Sequence, residues 1–308
     1  MSKSMVGNLL LTLTAFIWGV AFVAQRAGMD SIEPITFTAA RMGLAAVTVS
    51  LVCFLTERKK RRDRLPNPFA EDPAYRKNTI VGGIICGIFL VSASIFQQIG
   101  VVYTTAGKAG FITAMYMLLV PVINYVLFRK KNSWLVWFAV MIGVAGMYLL
   151  CMTEGFSLSH GDTMVCICAV LFSGHILCCD HFAGRGDPIR ISIIQFITVT
   201  VISGIIALIM EEPSWRKIAA AGIPILYCGI MSAGVGYTLQ MFAQRYTDPT
   251  IASLLMSLES VFAAIAGAVI LHERMSGKEL AGCVIMFIAI ILVQLPVGKG
   301  AEEGTAFD

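Results

Sequence analysis

Charged side chains are scarce: 23 Lys and Arg with 19 Asp and Glu make up 14% of 308 residues. A soluble domain carries roughly 25% charge, and a globule of this length needs polar groups to cover its surface. A soluble enzyme, a disordered chain and a nucleic-acid-binding domain are thereby excluded. Chemistry-bearing motifs are missing too. The chain has no nucleotide-binding glycine loop, no serine–histidine triad and no haem attachment site. Nothing in the chain is therefore built to bind ATP. Nine cysteines, an odd number, lie in or at the ends of apolar runs. That distribution speaks against a disulfide framework and for small, soft packing residues.

What is abundant is hydrophobic surface, 57% of residues with a mean hydropathy of +0.79. Crossing roughly 30 Å of hydrocarbon takes about 20 apolar residues. Ten such runs are legible: 6–24, 35–56, 79–102, 109–128, 134–152, 163–179, 191–210, 219–243, 250–271 and 277–295. None alternates polar with apolar every second residue, so they predict helices and not the strands of a barrel. The run 163–179 is the weakest, being short and carrying His175. Glu33-Pro34, Asp187-Pro188 and Asp248-Pro249 each place a carboxylate before a proline. A carboxylate there can accept from the free N–H groups of a first helical turn, and proline loses no bond at that position. The first run is longer than a signal core and no A-x-A site follows it, so it is expected to stay in the mature protein.

Lysine and arginine set the orientation. With the N-terminus inside, sixteen of the 23 fall in inner segments and six outside, Arg41 lying within a run. The positive-inside rule then puts both termini in the cytoplasm of a multi-pass protein. Under that rule the basic stretch 57–64 reads as an orientation anchor; an anionic-lipid patch is the other reading.

Shifting the chain by 143 residues lays 97–109 on 240–252, with Gln97/Gln240, Tyr103/Tyr246, Thr104/Thr247 and Ala109/Ala252 coinciding. The same shift aligns runs four with nine and five with ten. A shift near 154 lays Pro34 on Pro188 and Arg41 on Gln195. Two halves follow, 1–153 and 154–308. Five spans is an odd number, so the second half must begin on the opposite face of the membrane. The expected fold is all-α and integral to the membrane, ten transmembrane helices as two inverted five-helix repeats. Secondary transporters commonly have that arrangement, with the solute near the midplane between the halves.

The stretches FIWGVAFVAQ (16–25) and PITFTAAR (34–41) resemble the first two helices of EamA-type members of the drug/metabolite transporter superfamily. So does AGKAGFITAMY (106–116) with Val120-Pro121. LESVFAA (258–264) leading to His272-Glu273-Arg274 is similar to that family's penultimate helix and its closing acidic residue. The resemblance covers roughly residues 6–295. It implies ten helices in two inverted repeats, transport of small metabolites, and no covalent cofactor. Departures occur at Arg129-Lys130-Lys131, where many members have Gly-Glu-Arg, and at Ser260, where proline is frequent.

Polar groups inside apolar runs need a partner or a cavity. Glu259 lies close to the middle of the bilayer. It is either a substrate-amine or proton site, or a structural pair with Arg41. Arg41 could grip a substrate carboxylate with its guanidinium, anchor Glu259, or reach up to the outer surface. Together they would offer the opposite charges that a zwitterion needs. Gln97 and Gln240 suit a solvated cavity or helix–helix hydrogen bonds, with Gln98, Tyr237 and Gln244 nearby. Tyr116 coincides with Glu259 under the 143 shift. Pro121, five residues on, frees the Met117 carbonyl and can kink the helix as a gate or as a static bend. Trp18 lines the cavity or packs. Lys108 is expected at the outer mouth.

His175, Cys178, Cys179, Asp180 and His181 invite a metal reading, yet no second Cys/His pair stands at finger spacing. No metal is expected. Gly83-x-x-x-Gly87 is a packing signal. The reading is a secondary transporter, an exporter of a small organic metabolite such as an amino acid working by alternating access, with the solute and the lipid bilayer as partners; Glu259 exchanges a proton or binds the amine, and proton coupling stays open. Its rivals are a non-transporting sensor and a passive facilitator indifferent to pH gradients. Whether the glycine-rich faces pack within one chain or between two stays open.

Overall fold

A computed structural model describes residues 2–63, 65–104, 106–130, 132–151, 159–270 and 276–294. The expected half-boundary at 153/154, the His272-Glu273-Arg274 motif, the run ends at 152, 271 and 295, and Arg64, Lys131 and Lys299 lie outside the described residues. So does the side chain of Lys108.

Among the described residues all regular structure is helical. The chain order is α1 (Lys3–Gly28), α2 (Pro34–Arg62), α3 (Pro73–Tyr103), α4 in two pieces (Ala106–Ala114 and Tyr116–Phe128) and α5 (Trp134–Cys151). There follow α6 (His160–Ala183), α7 (Pro188–Met210), α8 (Gly222–Ala243), α9 in two pieces (Pro249–Met256 and Glu259–Ile270) and α10 (Gly277–Gln294). Eight of these are long and apolar enough to cross a membrane; α5 and α10 contain shorter apolar stretches, Trp134–Leu149 and Leu280–Leu292. The weakest expected run, 163–179, is part of a 24-residue helix, His160–Ala183.

Two of the three acid–proline starts behave as expected. Asp187 accepts from the N–H groups of Ile189 and Arg190, and Asp248 from that of Thr250. Glu33 caps nothing on α2; its carboxylate is taken by Lys217. The start of α2 is capped instead by Glu211, at the end of α7, whose two oxygens accept from the N–H of Ile35 (2.9 Å) and from the N–H and hydroxyl of Thr36 (both 2.7 Å). At the other end of this helix pair, Glu57 of α2 meets Arg190 at the start of α7, 3.5 Å away. Arg190 also lies 3.9 Å over the Phe69 ring.

Packing runs across the chain, not along it. α3 lies along α6 and α7, α2 along α7 and α8, α1 along α8 and α9, α4 along α6 and α9, and α5 against α10. Gly83 and Gly87 let α3 approach α7 closely: a Cβ at Gly83 would fall 2.5 Å from Ile194 Cβ, and one at Gly87 2.6 Å from Thr198 Cβ. The GxxxG spacing is a packing signal, as expected. Similar hydroxyl bonds tie helix ends at two places: Thr104 donates to Asp162 at 2.7 Å, and Thr247 to Asn8 at 3.2 Å. One apolar core threads nearly all the helices.

Two departures from regular helix matter. α4 and α9 are each interrupted, at Met115 and at Ser257-Leu258. The chain makes tight turns there, Met115 N–H to Ile112 O (3.2 Å) and Leu258 N–H to Leu255 O (3.3 Å). In α9 the Ser253 and Ser257 hydroxyls bond carbonyls three residues back, which bends helices. The break in α4 precedes Pro121 by six residues, and α9 breaks with Ala264 at the shifted position. Proline is therefore not what interrupts these helices. In α8, Tyr227–Tyr237 is a π-helix.

Candidate functional site

Helix interruption and the periodicity of α1 build one cavity. Trp18, Ala21, Phe22 and Gln25 recur at helical spacing, so α1 turns a single face inward. On α6, Phe172, His175 and Ile176 repeat that spacing. Arg41, Gln97, Thr113, Tyr116, Ser232, Tyr237, Gln240 and Glu259 complete the lining. About 430 Å³ of space not filled by atoms lies among them, part of it open to the outside. All six residues expected at a solute site (Trp18, Arg41, Gln97, Tyr116, Gln240 and Glu259) meet here, drawn from both ends of the chain. Pro121 is buried on α4 but is not part of the lining.

Tyr116 and Glu259 each begin the helical piece that follows a break. The Tyr116 hydroxyl donates to Glu259 Oε1 at 2.9 Å, and both side chains are buried. The structural pair of Glu259 with Arg41, one of the two readings of Glu259, is not seen among the described residues. Arg41 is 2% exposed, its Nε and Nη2 have no hydrogen-bond partner, and its guanidinium lies 5.8 Å from the Phe37 ring centroid. Glu259 is engaged by a tyrosine, and Arg41, a residue of the lining, has two buried nitrogens without a hydrogen-bond partner.

Other polar groups divide in the same way. Gln97 donates to the Thr113 hydroxyl at 3.3 Å. Gln240 has neither its Nε2 nor its Oε1 partnered, and Gln25 Oε1 is likewise free. Nearby Gln244 donates to the Ile176 carbonyl at 3.1 Å, while both amide atoms of Gln98 lack partners. Buried polar atoms without partners are uncommon in folded proteins, and five of them belong to lining residues.

Trp18 packs on Tyr237 with ring centroids 4.8 Å apart, and its indole N–H donates to the Ser232 carbonyl at 3.0 Å. Gly236 permits this, since a Cβ there would lie 2.5 Å from the indole nitrogen. Trp18 thus both packs and lines. His175, considered only for metal, stands in the wall: its Nε2 and Gln195 Oε1 are 3.1 Å apart, and Cys179 Sγ is 3.5 Å from the same nitrogen. No group of His, Cys, Asp or Glu among the described residues has metal-holding geometry. Cys53, Cys86, Cys166, Cys168, Cys178, Cys179 and Cys228 form no disulfide.

Sequence reasoning missed Ala21, Phe22, Gln25, Thr113, Phe172, Ile176 and Ser232 as lining residues. A signal for some existed: the 154 shift carries Trp18, Ala21 and Phe22 onto Phe172, His175 and Ile176.

The profile of the EamA-like transporter family matches residues 5–152 and again 159–295. An uncharacterized transporter of Archaeoglobus fulgidus is 26% identical over 295 residues, covering 96% of this chain and 88% of its own length. The uncharacterized transporter YoaV of Bacillus subtilis is 20% identical over 95% of this chain and 97% of its own. A chloroplastic WAT1-related protein of Arabidopsis thaliana is 26% identical over 92% of this chain and 68% of its own. One solved crystal structure shares the fold, with a TM-score of 0.74 at 17% identity, covering 94% of this chain and 96% of that one.

Proposed function

The chain belongs to the EamA-like transporter family, and on that premise we propose that it exports a small organic metabolite, such as an amino acid, by alternating access. Its helices and its family make it a multi-pass membrane protein of the drug/metabolite transporter type. The proposal adds the cell membrane, cytoplasmic termini, and two inverted five-helix halves, 1–153 and 154–308. Support for the halves comes from contacts that the two sequence shifts exchange. Thr104–Asp162 becomes Thr247–Asn8, and Glu211–Thr36 becomes Glu57–Arg190, under 143 for α3 and α8 and 154 for α1, α2, α6 and α7.

The observation that carries the functional reading is the cavity itself, where buried polar atoms of both halves stand without partners. Glu259 would exchange a proton or bind the solute's amine, and Arg41 would hold an anionic group. The Tyr116–Glu259 bond joins the two interrupted helices, so a change at Glu259 is felt by both. Breaks of this kind commonly form transporter sites near the membrane midplane.

Counterflow in proteoliposomes with labelled amino acids and related metabolites, with and without a proton gradient, tests this. Saturable exchange that responds to the gradient and is lost in Glu259→Gln is the expected result. Exchange indifferent to both gradient and mutation would make the protein a passive facilitator, with Glu259 structural.

A further inference from the structure

Arg41 and its shifted counterpart Gln195 are both buried, yet they are treated differently. Gln195 has His175 at 3.1 Å. The same 154 shift puts Ala21 at the place of His175, and a methyl group can offer Arg41 nothing. Both Ala21 and Arg41 line the cavity. The polar filler of one half is thus absent from the other, and it is absent beside a cation.

The free atoms are specific. In a guanidinium the Nε–H and one Nη2–H run parallel along a single edge, spaced to meet the two oxygens of a carboxylate. These are the two nitrogens of Arg41 that lack partners. Glu259 makes no hydrogen bond to either nitrogen; its Oε1 accepts from Tyr116. Leaving a buried cation unpaired is costly unless a ligand completes it.

Resting on the transport reading above, we infer that the space over Ala21 is a carboxylate subsite: the solute's carboxylate lies side-on against Nε and Nη2 of Arg41. Ala21 is then the residue that sets selectivity, because its small side chain keeps the subsite empty. The unpartnered Gln25 Oε1 and Gln240 amide receive hydroxyl or amine groups on the rest of the solute. Solutes without a carboxylate leave Arg41 unpaired and are rejected.

Two measurements separate this inference from the transport reading. Thermal stabilisation of the full-length purified protein is recorded with a panel of α-amino acids, α-hydroxy acids and α-keto acids, each beside its methyl ester. The inference expects at least one acid to stabilise the wild type while its ester does so about tenfold more weakly or not at all. Arg41→Lys, which keeps charge but loses the parallel edge, should weaken that acid about tenfold. Ala21→Leu should abolish its effect with the protein still folded. Ala21→His combined with Arg41→Gln rebuilds the His175–Gln195 arrangement and guards against a simple folding failure; it too should ignore the acids. Acids and esters acting alike, no acid acting at all, or full response in both Arg41→Lys and Ala21→Leu would each overturn the subsite. Counterflow with the same panel decides transport separately. Acid binding without exchange keeps the subsite and rejects the transporter, and exchange of esters as fast as acids does the reverse.

Discussion

From Gly87 to Gln97, α3 counts ten residues; from Gly229 to Gln240, α8 counts eleven. The comparison is anchored at both ends. Gly87 abuts Gln195 and Thr198 of α7, and Gly229 abuts Arg41 and Leu44 of α2, which are the same positions under the 154 shift. Gln97 and Gln240 both line the cavity. One extra residue has to be absorbed between the anchors of α8, and the π-helix Tyr227–Tyr237 covers most of that interval. A residue inserted into an α-helix widens one turn to i→i+5 bonding, and such turns are frequent at functional sites. The teaching is that two helices with one packing role present different walls. α8 offers the Ser232 carbonyl and Tyr237 to Trp18, whereas Phe172, the counterpart of Trp18, has no ring N–H to offer α3.

The largest expected effect follows from making α8 count like α3. Deleting Ala233 should let the segment wind as α-helix, shift Ser232 and Tyr237 relative to Trp18, and lower counterflow by about 100-fold, the scale of an ångström-sized misplacement. Wild-type rates from a folded deletion variant would detach the π-helix from the site. Next, Gly87→Val and Gly229→Val should each cost about 1–3 kcal/mol through overpacking against α7 and α2. Denaturant titration in detergent reads both, and a neutral Gly229→Val would break the anchoring of the comparison. Gly236→Ala places at this position the residue α3 has at Ala93. It should displace the Trp18 indole from Ser232, cost about 1 kcal/mol for the lost bond, and alter Trp18 emission in a variant retaining Trp18 alone.

The smallest effect concerns the helix starts. Partial burial pushes the Glu33 carboxyl up, but the bonds from Lys217 and from its own backbone outweigh it and leave the group below its ordinary value. Lys217, bonded to Glu33, is held above its own ordinary value. Glu33 therefore adds stability that is present above the ordinary carboxylate value and lost as pH falls through the lowered one. Lys217 adds stability that is present below the ordinary lysine value and lost as pH rises through the raised one. Melting temperature against pH should lose both features in Glu33→Gln, by a small margin because the pair is near the surface.

Much of this was legible beforehand, for physical reasons. Apolar runs announce spans because lipid leaves a backbone no other way to satisfy its bonds. The shifts that align Gln97 with Gln240 and Tyr116 with Glu259 also picked out residues that meet in one cavity. Other features were hidden. The extra residue of α8 lies before the segment where the 143 shift was matched, and a one-residue offset leaves no mark on hydropathy. The break in α4 falls at Met115, with no glycine or proline at that residue. Glu33 and Asp187 look alike in sequence, yet only Asp187 caps its own helix, because Lys217 and Glu211 reach α2 from distant positions. Arg41 and Glu259 have complementary charges, yet Glu259 accepts from the Tyr116 hydroxyl and two Arg41 nitrogens have no partner, which charge alone does not foretell.

The two ties that fasten α2 to α7 differ in kind, and a bilayer would read them differently. Glu57 meets Arg190 as one ion against another, whereas Glu211 grips backbone N–H groups and a hydroxyl. Mobile ions and anionic headgroups compete for an arginine, but they have little hold on a capped helix start. On that chemistry one end of this helix pair answers to the salt and headgroups around it, and the other answers to neither. Two ends that fasten the same pair of helices would thus loosen under different conditions, independent of any solute.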